Sequence, residues 1–216
     1  MRKKVLLGVT GSVAAVLTPK LAAALIGAGH EVRIVATDPG LFFIPPNNLS
    51  FVDDPNNSSN PALGSSFYLE LDEFGLEHLY IWRDKDEWPA GGYHKNDPVR
   101  HIEFRDWADV LLIAPLTANT LAKIATGVCD NFLTCIARAW VKGRPLVIAP
   151  AMNTEMWIDP ITQIQINSLA FPISVSGHLR FDLHVVEPIE KRLACGDVGK
   201  GAMAKLDDIV SVVDHL

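Results

Sequence analysis

Five short segments carry the side chains able to do chemistry. Gly8-Val9-Thr10-Gly11-Ser12 closes an apolar run near the start of the chain. Glycines at a strand-to-helix junction let backbone N–H groups approach a phosphate at the positive end of the helix. The segment is neither G-x-G-x-x-G nor a P-loop, so it stands equally as a phosphate cradle or as a tight βα turn. Asp38 follows the next apolar run, where a dinucleotide enzyme binds ribose. The second segment, Ala114-Pro115-Leu116-Thr117-Ala118-Asn119-Thr120, also follows a buried run. Its hydroxyls and amide can hold a phosphate or the edge of a ring system. Taken alone, they read better as the N-cap of the next helix.

The third segment is Pro150-Ala151-Met152-Asn153-Thr154-Glu155-Met156-Trp157. Core packing accounts for its methionines but not for Asn153 among them, which can donate to and accept from a substrate amide or carboxylate. The fourth runs from Arg192 through Ala194, Cys195 and three glycines to Ala204. It reads as a flexible loop, a poor place for a core cysteine. Arg192 nearby favours the thiolate, so Cys195 is expected to be reactive. The fifth contains His101, which periodicity does not single out from the other six histidines.

These segments sit at the ends of a repeating pattern. Val5–Val9, Glu31–Ala36, Val110–Ala114 and Leu146–Ala149 read as buried strands, and Val13–Ala28, capped by Ser12 and ended by Gly29, as a helix. Further helices are expected over 119–126, 131–140, 160–169 and 206–216. Alternating strands and helices define an α/β domain of Rossmann or flavodoxin-like type, a parallel sheet with helices on both faces. One domain is expected over 1–216, with insertions at about 44–66 and 171–181. The first insertion is too polar to build a core, and the second has no clean period. A net charge of −6 without a basic run argues against a nucleic-acid partner. The three cysteines lack zinc spacing and suit a reducing compartment. Gly8, Gly11, Pro19 and Lys20 interrupt the apolar start, so neither a signal peptide nor a membrane span is expected, and the location is read as cytoplasmic.

Together, GVTGSVAA, DPVRHIEFRDWADVLLIAPLTANTLAKIATGVCDNFLTCIARAW, PLVIAPAMNTEMW and KRLACGDVGKGAMA resemble, in family order, the homo-oligomeric flavin-containing cysteine decarboxylases. PAMNTEMW followed by ACGD resembles that family's substrate-recognition motif and substrate clamp. The resemblance implies FMN as cofactor and decarboxylation of 4′-phosphopantothenoylcysteine to 4′-phosphopantetheine, a step in coenzyme A synthesis. It implies FMN contacts at Gly11, Ser12, Val13, Thr37, Thr117, Ala118, Asn119, Thr120 and Ala151. Catalytic roles fall to His101 and Cys195, and substrate contacts to Asn153, Arg192 and Ala194, with no metal. The family's sites lie between subunits of a trimer, so His101 is expected to face Asn153 and Cys195 of a neighbour. The chain departs from the family in the length of the two insertions, the second of which precedes the clamp.

Other readings stay open at this level. A nicotinamide oxidoreductase would use Asp38 but leaves PAMNTEMW and ACGD unexplained. A phosphatase-regulating relative of the same fold is one further alternative, and a peptide-cysteine decarboxylase is another.

Overall fold

In chain order the elements are β1 (Lys4–Val9), α1 (Thr18–Gly27), β2 (Glu31–Ala36), α2 (Asp38–Phe43), β3 (Leu49–Val52), β4 (Ser66–Leu69), β5 (Leu79–Trp82), α3 (Arg100–Trp107), β6 (Val110–Leu116), α4 (Ala118–Thr126), α5 (Phe132–Ala139), β7 (Pro145–Pro150), α6 (Thr154–Ile158), α7 (Pro160–Ala170), β8 (Asp182–Val185), β9 (Ile189–Arg192), β10 (Val198–Ala202) and α8 (Leu206–His215). They come from a computed structural model that describes residues 1–52, 66–88, 92, 94–170, 180–192 and 198–216.

Every residue of β6, and every residue of β1 after Lys4, is buried. Continuous apolar runs of this kind mark strands covered on both faces. The sheet order is β3-β4-β5-β2-β1-β6-β7-β8. From β5 to β8 all neighbours are parallel, while β3 and β4 are added antiparallel at one edge. Counting the parallel strands alone, the chain visits the sheet in the doubly wound order 3-2-1-4-5-6, which reverses direction between β1 and β6.

Strand alternation sends successive side chains to opposite faces. Val5, Leu7 and Val9 of β1 join Val110, Leu112 and Ala114 of β6 under α1 and α8. Leu6, Leu111 and Ile113 point the other way, under α3, α4, α5 and α7. Fully burying one such leucine contributes about 1.5–3 kcal/mol, so the two cores fix both the register of β1 against β6 and the place where those strands end.

Three sequence expectations change. The helix over 13–28 is split into a 3-10 turn at Val13–Leu17 and then α1. Pro19, which lacks an N–H, is tolerated because it falls in the first turn of α1. The polar stretch 44–66 does contribute to the fold, since Ile44 and Asn48 are buried and β3 pairs with β4. Its apolar ends supply the edge strands. The glycine-rich stretch after Arg192 is strand rather than loop where described, with β10 pairing antiparallel to β9. The remainder of the two expected insertions, 53–65 and 171–179, lies outside the described residues; Phe181 at the end of the second is buried. Among the described residues no helix is long and apolar enough to cross a membrane.

Candidate functional site

The reversal of strand order opens a crevice where β1 and β6 end, and Thr10 ties its two sides together. This fully buried hydroxyl donates to the Pro115 carbonyl at 2.8 Å and accepts the Thr117 N–H at 3.0 Å. Thr117 in turn caps α4, accepting the Thr120 N–H at 3.3 Å. Ser12 caps the 3-10 turn by accepting from Ala14 N–H at 3.3 Å. Thr37 caps α2, accepting from Gly40 N–H at 3.1 Å and donating to the Val9 carbonyl at 3.4 Å. Three element starts are thereby gathered at one place, with their orphan N–H groups converging. The loops touch closely: a Cβ on Gly11 would lie 2.5 Å from Cβ of Pro39, and one on Gly40 would lie 2.4 Å from the Val9 carbonyl oxygen. Glycine is required at both positions by space rather than by φ.

The crevice is a cavity of about 540 Å³ lined by Gly11, Ser12, Thr37, Thr117, Ala118, Asn119, Thr120 and Ala151, among others. Asp38, Asp84 and Asp130 line it as well, and so does Lys123. Lys123 pairs with Asp130 at 2.7 Å and holds that carboxyl below its usual range. Burial pushes the Asp84 carboxyl up, aided by the neighbouring charges of Asp38, Glu87 and Asp130; the Phe132 N–H, donating at 3.0 Å, opposes this only in part.

A second cavity of about 870 Å³ shares Ser12, Ala151 and Met152 with the first. Its wall is mostly apolar, from Val13, Val16, Leu17, Met203 and Ala204, and Asn153, Lys191, Arg192 and Lys205 line it as well. The β9–β10 hairpin is seated here by its glycines. A Cβ on Gly201 would lie 2.3 Å from the Met152 carbonyl oxygen, and one on Gly199 would lie 2.4 Å from Oγ1 of Thr154. These glycines serve close approach, not flexibility. Asn153, expected on a loop, is the N-cap of α6 and accepts the Glu155 N–H at 2.8 Å through Oδ1. Its amide therefore has a structural task beside any ligand contact. Trp157, in the same helix, is core.

The structure thus brings Gly11, Ser12, Val13, Thr37, Thr117, Ala118, Asn119, Thr120, Ala151, Asn153 and Arg192 to two adjoining cavities. Ala194 and Cys195 lie outside the described residues. His101 lines neither cavity. It stands in the first turn of α3, with Nδ1 2.9 Å from Oε1 of Glu87, a carboxylate that is itself buried. Cys135 is a further neighbour of Glu87: burial, and then Glu87, push its thiol up to about 12. Sequence reasoning missed Thr10, Asp84 and Glu87. A threonine between two glycines offers a signal for the first; nothing in the local pattern marks the other two.

The flavoprotein family model matches residues 1–216. The mouse phosphopantothenoylcysteine decarboxylase is 38% identical over 211 residues, covering 97% of this chain and 85% of the relative. A solved structure of a cysteine-to-serine mutant of PPC decarboxylase, complexed with pantothenoylaminoethenethiol, superposes with a TM-score of 0.75 at 40% identity, covering 100% of this chain and 98% of that one. The FMN binding protein AtHal3 gives 0.72 at 40% identity, covering 100% and 96%. The chain belongs to the flavoprotein family.

Proposed function

We propose that this protein is an FMN-dependent decarboxylase that converts 4′-phosphopantothenoylcysteine to 4′-phosphopantetheine, a step in coenzyme A synthesis. The observation that carries this reading is the likeness to PPC decarboxylase over the whole chain, together with the paired cavities. The residues present fit FMN. A mononucleotide needs an anion cradle, hydroxyl partners and an apolar wall, and the crevice supplies hydroxyls and helix N-termini at the strand switch point. The phosphate belongs at Gly11–Val13 and Thr117–Thr120, where glycine, hydroxyls and helix N-termini supply anion-binding groups.

When bound, FMN supplies a reversible two-electron acceptor, which the substrate needs because CO2 lost from a cysteine Cα otherwise leaves an electron pair with no sink. The protein orients and protonates. Asn153 holds the substrate carboxylate or amide, and Arg192 and Ala194 contact the substrate. His101 of a neighbouring subunit assists by hydrogen bonding or electrostatics. Cys195 returns a proton to the enethiolate left after CO2 departs. The assembly is a homotrimer, a closed ring, and it works in the cytoplasm.

The test is CO2 release from 4′-phosphopantothenoylcysteine by the purified protein, with the flavin released on denaturation identified by chromatography. FMN and CO2 together are the expected result; a protein that neither carries nor takes up FMN sinks the reading. Cys195→Ser refines it. In an anaerobic single turnover the variant is expected to release CO2 and accumulate a species two hydrogens short of 4′-phosphopantetheine. Absence of CO2 would move Cys195 to an earlier step.

A further inference from the structure

Glu87 is a carboxylate with 5% of its side chain exposed. Burial of such a group is costly unless it is compensated, and the close compensation here is the His101 ring, Nδ1 to Oε1 at 2.9 Å, with 20% of the histidine side chain exposed. A second neighbour, the Cys135 thiol, stays protonated with its pKa near 12 and adds no charge. The 3-10 turn Asp84–Glu87 that carries the carboxylate is anchored at several points. The Arg83 N–H donates to Oδ2 of Asp86 at 2.9 Å, and the Phe132 N–H at the start of α5 donates to Oδ1 of Asp84 at 3.0 Å. The Arg83 guanidinium lies 4.2 Å from the Phe67 ring centroid. On the histidine side, Arg100 stacks on Trp82 at 5.0 Å and Trp88 meets the His101 ring edge-on at 6.4 Å. Asp84, at the other end of the same turn, lines the strand-end crevice.

We propose that Glu87 is a positioning residue for His101, holding Nδ1–H so that every proton His101 gives or takes passes through Nε2. An ionised carboxylate only accepts, so Nδ1 must carry the proton whatever the charge on the ring, and the other nitrogen is the one presented. The turn also joins this geometry to the crevice, because Asp84 and Glu87 are three residues apart on one braced segment. The inference rests on the reading that His101 takes part in turnover.

The experiment uses FMN-loaded protein with Glu87→Gln, Glu87→Asp and His101→Asn. Glu87→Gln keeps the shape and removes the obligate acceptor. Its kcat is expected to fall roughly 10–100-fold, the scale on which partners that orient a functional histidine act, with KM and FMN content unchanged. Glu87→Asp restores part of the loss. In protein labelled with 15N-histidine, the His101 signal reports a protonated Nδ1 in the wild type and a mixture of tautomers in Glu87→Gln. Wild-type kcat in Glu87→Gln, with His101→Asn inactive, overturns the positioning role. So does a loss confined to FMN content or melting temperature. A fully active His101→Asn overturns instead the reading of His101 itself, and the two failures are thereby told apart.

Discussion

The crevice under β1 and β6 and the turn that holds His101 are both tightly braced, yet they differ in completeness. The loops of the crevice meet within one chain: Thr10 links its two sides, three capped elements open onto it, and glycines let its loops touch. The His101–Glu87 pair is equally well held but opens onto neither cavity. Under the proposed function, one chain supplies the cofactor cradle and only part of the reaction centre. On the proposed reading, the missing juxtaposition comes from a neighbour in the trimer. Cofactor binding should then tolerate changes that abolish chemistry, and chemistry should be recoverable in mixed assemblies.

The largest effect tests that division directly. His101→Asn is expected to abolish CO2 release while FMN stays bound. Asn153→Asp is expected to be inactive as well, since it keeps the α6 cap but sets a negative charge against the substrate carboxylate. Co-expressed, the two variants should regain roughly a quarter of the wild-type rate, because random assembly into a closed ring gives that share of sites two intact partners. Mixed trimers without recovery would mean that each subunit works alone, and the contrast between the two regions would lose its cause.

Changes within the crevice come next. Gly11→Ala puts a Cβ against Pro39. Overpacking of this kind costs about 1–3 kcal/mol. Expressed as cofactor affinity, it is expected to weaken FMN binding about 10–100-fold at 1.4 kcal/mol per decade, read by flavin fluorescence titration. Unchanged affinity would show that the Gly11 loop does not contact FMN. Thr10→Val removes a buried hydroxyl that serves the Pro115 carbonyl and the Thr117 N–H. Leaving such groups unsatisfied costs about 1–3 kcal/mol, so Tm should fall by several degrees. The same change at exposed Thr126, whose hydroxyl returns to the Ala122 and Lys123 carbonyls of its own helix, should be near neutral.

The two regions also differ in how far the sequence revealed them. The crevice was legible because chemistry and periodicity coincide there: strands buried on both faces end in Thr10-Gly11-Ser12 and Pro115-Leu116-Thr117, and doubly wound sheets bind ligands at such ends. The buried strands and most of the helices followed from the same pattern. The edge strands β3 and β4 did not, because they are short and border a polar stretch whose composition dominates any window. The stretch from Arg192 to Ala204, which contains β10, reads as a flexible loop because glycine signals both freedom and close approach, and only packing against Met152 and Thr154 decides between them. Glu87 was invisible. Its partner lies 14 residues away in another element, and an acidic run such as Asp84-Lys85-Asp86-Glu87 reads as solvated surface until the fold buries its last member.

The smallest expected effect separates a carboxylate of the crevice from its hydroxyls. Burial raises the Asp84 carboxyl above its ordinary value, and nearby Asp38, Glu87 and Asp130 push the same way. A carboxyl with a raised folded-state pKa binds its proton more tightly in the fold than in the unfolded chain. Its favourable contribution is therefore complete below the unfolded value of about 3.9 and is lost as pH rises through the folded value. At pH 7 the ionised Asp84 is a net cost, and because the group is partly exposed, solvent screening limits that cost to a few tenths of a kcal/mol. Asp84→Asn keeps an oxygen for the Phe132 N–H and removes the charge. Its Tm should exceed that of the wild type by about 1 °C at pH 7, and the difference should shrink toward zero as pH approaches 4. A variant less stable than wild type at pH 7, with the deficit fading on acidification, would mean that the negative charge is worth more as a cap on α5 than it costs to bury. Asp84 would then be a bracing residue like Thr10, rather than a carboxylate whose burial is a net cost.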